Sequence, residues 1–175
     1  MEVTTVFGSL QGTGDAFRQS NLPNLEYLLD SGVKIALIYG DRDYTCPWTG
    51  GESVAKVTKW KNQKGFLAAG YQDIQGLGQN AKGGVVKQHD RLSFARVFES
   101  GHAVSAYAPE TVFTVFNRTM FGKDVVTGTE SIGPNYRTSG PTDSRGWRTK
   151  LPTPIRDVCM VEGEFLPSNI FAVDG

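Results

Sequence analysis

The sequence predicts an α/β protein, and two strand-like runs with similar endings are the observations behind that prediction. Residues 33–39 form an apolar run with β-branched side chains between Gly32 and Gly40. Residues 92–98 form a second such run, and a glycine and His102 follow it. Apolar runs of this length between glycines are typical of strands in a mostly parallel sheet. We therefore expect the first run to be a buried strand of such a sheet.

Helical patterns flank these strands. Leu25, Leu28 and Leu29 recur at helical spacing after a cap-like stretch, and Gly32 is a typical residue to end that helix. Strands joined by a short turn, as expected at 89–91, pair antiparallel. The remaining predictions are a helix over 52–60, a connection over 61–83, a strand over 84–89, a loop over 103–108, and a helix from Pro109 to Gly122 with Val112, Phe113, Val115, Phe116 and Met120 as its apolar face.

Three segments of different character divide the chain. Residues 1–20 are polar and glycine-rich, which indicates a loop. Residues 21–122 carry the predicted helices and strands and form the predicted domain. Residues 123–175 include a long stretch with little apolar content, which indicates an irregular or disordered tail. The length of 175 residues suits one domain.

The composition argues against several classes of function. Lysine and arginine together number 18, and aspartate and glutamate also number 18, so no excess charge recruits nucleic acid. No apolar run is long enough to cross a bilayer, and no signal-peptide pattern is visible at the N-terminus. Cys46 and Cys159 are too few for a disulfide framework or a zinc site. We expect neither a metal nor a cofactor.

The candidate chemistry lies where the two strands end, because sites in open α/β sheets gather at the carboxyl ends of strands. His102 can act as a general base near neutral pH, and Asp43 can accept a hydrogen bond from its other ring nitrogen. The alternative is an ordinary surface histidine and an acid that solvates a strand end. Asp41 is the competing acid, for which we expect a structural role in its own turn, and Arg42 is expected to be a solvated surface charge.

A nucleophile to complete this pair is not found in the sequence. An aspartate followed by a histidine gives the last two members of a Ser…Asp…His triad, but no Gly-x-Ser-x-Gly motif occurs. Ser53 resembles such a motif weakly, since Ala55 stands where a glycine is needed and the serine follows Asp43. Cys46 is an alternative nucleophile with His102, although a buried, inert cysteine is the commoner case.

Two other residues carry recognisable but weak signals. His89 has no partner at metal-ligand spacing and is expected to be a turn residue. Asn117 begins the sequence Asn-Arg-Thr, an N-glycosylation acceptor, and lies on the last predicted helix. It can carry sugar only if the protein enters the secretory pathway.

The two strand-end motifs together resemble the C-terminal part of serine carboxypeptidases, especially fungal ones. They are YGDRDYTCPWTGGE at 39–52 and FARVFESGHAV at 94–104, and the resemblance extends from about residue 14 to about residue 128. It implies the C-terminal portion of an α/β-hydrolase sheet, with about three strands and flanking helices. It also implies that Asp43 and His102 are the triad aspartate and histidine, and that Cys46 lies near the substrate pocket.

The chain departs from the family pattern at several points. Pro47 replaces an asparagine that usually follows the cysteine, and Ala103 replaces a larger residue after the histidine. The serine elbow and the oxyanion segment of the family lie upstream of the matching part.

The resemblance implies a serine-type carboxypeptidase that acts on the C-termini of peptides and proteins, in a family that is secreted or vacuolar. We expect this chain alone to be inactive, because the nucleophile segment is missing. The alternatives are a non-catalytic interaction module and an acyltransferase on the same fold. A partial sheet would leave an open edge and an apolar face, so we also expect marginal stability, aggregation or dependence on a partner.

Overall fold

The computed structural model describes residues 21–79 and 81–145. The predicted loop 1–20, Cys159 and residues 146–175 of the predicted tail lie outside the described residues. The chain divides into two compact units, Met1–Ser144 and Arg145–Gly175, and the first contains every described helix and strand. In chain order these are α1 Leu22–Asp30, β1 Ile35–Gly40, α2 Trp48–Val57, α3 Gln63–Ala68, β2 Tyr71–Asp73, β3 Gly84–His89, β4 Leu92–Val97, α4 Val104–Tyr107 and α5 Pro109–Met120.

The described strands form one mixed sheet in the order β1-β4-β3-β2. The α/β class is thus confirmed, but a mostly parallel sheet was the wrong expectation, because only β1 and β4 pair in parallel. The two-residue connection between β3 and β4 enforces the antiparallel pairing predicted for them, and Asp90 in it has a φ of 47°. The strand β1 lies at an edge of the described sheet and is half-buried except at Gly40, so it is not the buried strand expected.

The core lies against the centre of the sheet, where every residue of β3 and β4 is buried. A core cluster there draws on β3, β4, α5 and the segments that follow β2 and α5, and comprises Ile74, Val86, Ala95, Val115, Val125 and Val126. Residues 123–145 contain no helix or multi-residue strand, yet they supply two of these valines. Thr138 ties the same segment to the sheet, since its amide donates to the carbonyl of Gln88 at 2.9 Å. The division at residue 122 stays a prediction.

Several helix predictions are confirmed and others are wrong in their bounds. Helix α1 ends as expected, with Gly32 at φ 91° and the amide of Val33 donating to the carbonyl of Leu28. Helix α5 begins at Pro109 as expected. Helix α2 begins four residues before the predicted start at residue 52 and ends three residues before the predicted end at residue 60. The supposed connection 61–83 contains α3 and β2, and the supposed loop 103–108 contains α4.

The predicted apolar face of α5 is largely not in the core. Val115 is fully buried, whereas Phe113, Phe116 and Met120 are each more than half exposed. Periodicity located an amphipathic helix correctly but could not distinguish an apolar stripe that faces the core from one that faces outward. No helix among the described residues is both long enough and apolar enough to span a membrane.

Candidate active site

The parallel pairing of β1 with β4 places the carboxyl ends of the two strands side by side. Gly40 is opposite Val97 in the register, so the two loops that follow begin at the same edge of the sheet. The amide of Asp41 donates to the carbonyl of Val97 at 3.0 Å, and the amide of Arg42 donates to the carbonyl of Ser100 at 3.0 Å. These backbone hydrogen bonds join the loop after β1 to the loop after β4.

Asp43 and His102 meet where these loops join. The Nδ1 atom of His102 lies 2.9 Å from Oδ2 of Asp43. The other carboxylate oxygen, Oδ1, accepts hydrogen bonds from the amides of Thr45 and Cys46, each at 2.9 Å. The Asp43 side chain is only 5% exposed, whereas that of His102 is 67% exposed. One residue of the pair is therefore held within its own loop, and the other presents its ring outward.

The surroundings of Asp43 favour its ionised form. The amide of Cys46 makes the largest contribution and holds the pKa of the Asp43 carboxyl below its usual value. Partial desolvation opposes this effect, while the hydrogen bonds from His102 and from the Thr45 amide add to it. Asp43 is consequently an anion near neutral pH, and Nδ1 of His102 must carry the proton that is donated to it.

This tautomer leaves the second ring nitrogen of His102 available. Nε2 makes no hydrogen bond to any residue in the part of the chain that the structure describes. A histidine whose Nδ1–H is held by a carboxylate can accept a proton at Nε2, and the same carboxylate then stabilises the imidazolium. The arrangement can therefore perform general base and general acid catalysis.

The other residues around the strand ends have smaller parts. Asp41 accepts a long hydrogen bond of 3.4 Å from the amide of Ser100, which links the two loops. Arg42 lies 3.9 Å from Glu99 and is about half exposed, as a solvated surface charge would be. Cys46 carries a free, exposed thiol, which differs from the buried cysteine that residue statistics favour.

Cys46 also lies beside the pair. Its Sγ and one donor atom each of Asp43 and His102 are all within 4.8 Å of one another, in a grouping that could hold a metal ion. Two ligand atoms of a tetrahedral zinc ion are about 3.3 Å apart. The Asp43 and His102 atoms are closer than that, so an ion could bind only by breaking their hydrogen bond.

The remaining candidates of the sequence lie elsewhere. Ser53 is an exposed residue within α2, where its hydroxyl donates to the carbonyl of Thr49, and it is not at a strand-to-helix turn. His89 is the last residue of β3, buried, with Nδ1 2.9 Å from the carbonyl oxygen of Tyr136, so it is not a turn residue. Asn117 is exposed on α5, as a glycosylation acceptor must be.

Sequence reasoning missed two contributors to the site region. Tyr39 precedes Gly40 in β1 and packs its ring against that of Phe94, with ring centroids 5.8 Å apart. Burial raises the pKa of the Tyr39 hydroxyl, and the nearby Cys46 and Asp43 raise it further. Arg96 is 8% exposed and places its guanidinium 4.2 Å from the ring centroid of Trp48. Both pairs connect residues 39–52 with residues 94–104, but nothing in a linear pattern indicates which residues meet across strands.

An α/β sheet with an aspartate and a histidine in the loops that follow two adjacent parallel strands is the arrangement of the α/β-hydrolase class. Residues 4–122 match the family model described as serine carboxypeptidase. The chain therefore belongs to the serine carboxypeptidase family.

Several fungal proteins are similar to most of this chain. Carboxypeptidase S1 homolog A of Arthroderma benhamiae is 38% identical over 174 residues, which cover 95% of this chain and 26% of that protein. Carboxypeptidase S1 homolog B of Arthroderma otae is 42% identical over 156 residues, covering 86% and 23%. The Carboxypeptidase Y homolog of Arthroderma benhamiae is 38% identical over 145 residues, covering 81% and 23%. The chain spans about a quarter of the length of these curated relatives.

Proposed function

We propose that this chain supplies the aspartate and the histidine of a serine-type carboxypeptidase, which hydrolyses the last peptide bond of peptides and proteins. The observation that carries the proposal is the hydrogen bond between Nδ1 of His102 and Oδ2 of Asp43, at the ends of two parallel strands. The names of the relatives, carboxypeptidases throughout, support the substrate class.

In this proposal, the serine belongs to a part of the enzyme that the 175 residues do not contain. Its hydroxyl oxygen attacks the carbonyl carbon of the last peptide bond while Nε2 of His102 takes the hydroxyl proton. His102 then gives that proton to the leaving amine, the C–N bond breaks, and an acyl-enzyme remains. A water molecule then attacks the acyl carbon while Nε2 of His102 takes one of its protons. His102 returns that proton to the serine oxygen as the acyl–oxygen bond breaks, and the shortened peptide is released. Asp43 holds the tautomer of His102 and stabilises its charged form throughout.

The proposal includes two further points, one on Cys46 and one on the activity of the chain by itself. In this proposal Cys46 lines the substrate pocket, which is supported by its exposed thiol within 4.8 Å of the donor atoms of the pair. The 175-residue chain by itself has little or no activity, because its sequence contains no Gly-x-Ser-x-Gly motif. Release of the C-terminal residue from a blocked dipeptide by the purified chain, abolished by a serine-directed phosphonate, would refute this second point. Formation of an ester when an alcohol is added would instead favour an acyltransferase.

The direct test of the catalytic role places the chain in a complete relative. In the chimera, the chain replaces the matching 174-residue segment of Carboxypeptidase S1 homolog A of Arthroderma benhamiae. We expect the folded chimera to hydrolyse a blocked dipeptide, His102→Ala to remove nearly all of that activity, and Ser53→Ala to leave it unchanged. If the larger exchange does not fold, an exchange of residues 39–52 and 94–104 alone serves the same test. A folded, inactive chimera, or an active His102→Ala variant, contradicts the proposal.

A further inference from the structure

We propose that Gly40 is a positioning residue for His102: the space left by its missing side chain lets the loop after β4 approach β1 closely enough for His102 to reach Asp43. The inference deepens the proposed function and rests on the pairing of these two residues. It concerns a residue without polar side-chain atoms, which lies three positions before Asp43.

The evidence is a close backbone approach. A Cβ atom on Gly40 would lie 2.2 Å from the carbonyl oxygen of Ser100 and 2.5 Å from that of Gly101. Both neighbours are backbone atoms, so no side-chain rotation relieves the overlap. Gly40 ends a regular strand and does not have a left-handed φ, so other residues could adopt its conformation. The glycine is therefore needed for space and not for backbone freedom.

The loop that meets Gly40 is fixed on its other sides. The carbonyl of Ser100 accepts the amide of Arg42 at 3.0 Å, and the carbonyl of Glu99 accepts Nζ of Lys82 at 3.0 Å. Glu99 has a φ of 53°, which is uncommon for a residue other than glycine. A methyl group on Gly40 would have to displace the Ser100–Gly101 peptide by more than about 1 Å to reach ordinary contact.

His102 directly follows that peptide and would move with it. Asp43 would stay in place, because the amides of Thr45 and Cys46 in its own loop hold its carboxylate. A displacement of about 1 Å away from Asp43 would take the present 2.9 Å separation beyond hydrogen-bonding range. Gly40→Ala should thus separate the pair without touching either partner.

The full 175-residue chain allows this to be measured without any enzymatic activity. Nitrogen-15 NMR of labelled histidine reports which ring nitrogen of His102 carries the proton, and a slowly exchanging Nδ1–H signal reports the hydrogen bond to Asp43. We expect the unmodified chain to show the Nδ1–H form and Gly40→Ala to lose it. The matched control is Gly50→Ala, since a Cβ on Gly50 meets no atom within 4 Å. It should leave the Nδ1–H form unchanged.

A second variant guards against a failure of Gly40→Ala to fold. The hydroxyl of Ser100 donates to the carbonyl of Phe98 at 3.0 Å, so Ser100→Gly should relax the loop and let it retreat. We expect the double variant to fold and to lack the Nδ1–H form, while Ser100→Gly alone retains it. A folded Gly40→Ala chain that keeps the Nδ1–H form overturns the proposal. So does failure of both Gly40→Ala chains to fold, because Gly40 would then be a requirement of the fold as a whole.

The chimera described above separates this inference from the proposed function. In an active chimera, Gly40→Ala should lower kcat about 100-fold or more with little change in KM, as a displaced general base does. Wild-type kcat in that variant overturns the inference while the proposed function stands. An inactive chimera refutes the proposed function, but the NMR result on Gly40 remains valid.

Discussion

The Oδ2 atom of Asp43 lies 2.9 Å from Nδ1 of His102, although 59 positions separate the two residues in the chain. Parallel pairing of two strands that are distant in sequence accounts for this proximity, because it aligns their carboxyl ends in one register. The polar pair thus depends on backbone pairing between two strands that contain neither of its residues.

The first prediction concerns the amide replacement Asp43→Asn in the 175-residue chain. The amides of Thr45 and Cys46 both donate to Oδ1, so the asparagine oxygen will stay at that position and its NH₂ group will face His102. His102 must then accept at Nδ1 and carry its proton on Nε2. Nitrogen-15 NMR should show this reversal of the tautomer.

Asp41→Asn is the matched control for that measurement, since Asp41 accepts a hydrogen bond from the amide of Ser100 and an asparagine oxygen can accept the same bond. It should leave the Nδ1–H form of His102 in place. Retention of that form in Asp43→Asn would contradict the geometry described for the carboxylate.

The second prediction concerns Lys87, a lysine of β3 that is only 1% exposed. Its Nζ donates to the carbonyl of Leu67 at 3.3 Å and also to that of Ala69. Desolvation lowers the pKa of Lys87 to about 8 in the folded chain, against 10.5 for an unperturbed lysine. Above pH 8 the folded state therefore loses a proton that the unfolded state still holds, and the contribution of this residue to stability rises with pH.

Lys87→Met removes that contribution. The difference in unfolding free energy between the unmodified chain and the variant should change with pH between about 8 and 10, by up to about 1.4 kcal/mol per pH unit in favour of the lysine chain. Urea unfolding at a series of pH values measures it. A difference that is flat over this range would show that Lys87 stays protonated in the folded chain up to about pH 10, so that its pKa is not lowered.

The third prediction concerns the buried cation Arg96. Its guanidinium lies over Trp48, and Nη1 donates to the carbonyl of Ser144 at 2.8 Å. A lysine cannot reproduce the planar stacking, so Arg96→Lys should lower the free energy of unfolding by about 2 kcal/mol. Arg91→Lys, at a position whose side chain is 41% exposed, should change it by less than about 0.5 kcal/mol. Equal effects of the two substitutions in urea unfolding would contradict this role of Arg96.

The fourth prediction concerns the outward face of α5. Phe113 is 65% exposed and Phe116 is 56% exposed, on a helix whose inward residue Val115 is fully buried. Replacing both phenylalanines with glutamate should reduce self-association and the binding of an apolar dye, with little effect on the free energy of unfolding. Val115→Ala should instead cost about 2 kcal/mol of stability. If analytical ultracentrifugation showed the same self-association for the variant and the unmodified chain, this face of α5 would not be its cause.

Much of the framework could be predicted because its signals are local. Glycine and proline mark the ends of α1 and the beginning of α5, and a two-residue turn defines the β3–β4 hairpin. The motifs at 39–52 and 94–104 located the candidate site for the same reason.

The errors come from features that depend on distant contacts. The strand β2 has only three residues and is formed by its pairing with β3, so no periodicity marks it. The position of β1 at an edge depends on strand order, which a linear pattern does not contain. The stacking of Arg96 on Trp48 likewise depends on tertiary packing.

Steady-state kinetics of Asp43→Asn in the chimera is the most direct test of the claim that Asp43 and His102 form a catalytic pair. Because the amide would impose the wrong tautomer on His102, we expect kcat for a blocked dipeptide to fall about 10³- to 10⁴-fold with little change in KM. Asp41→Asn should retain near-normal kcat. An Asp43→Asn chimera with the kcat of the unmodified chimera would contradict the account.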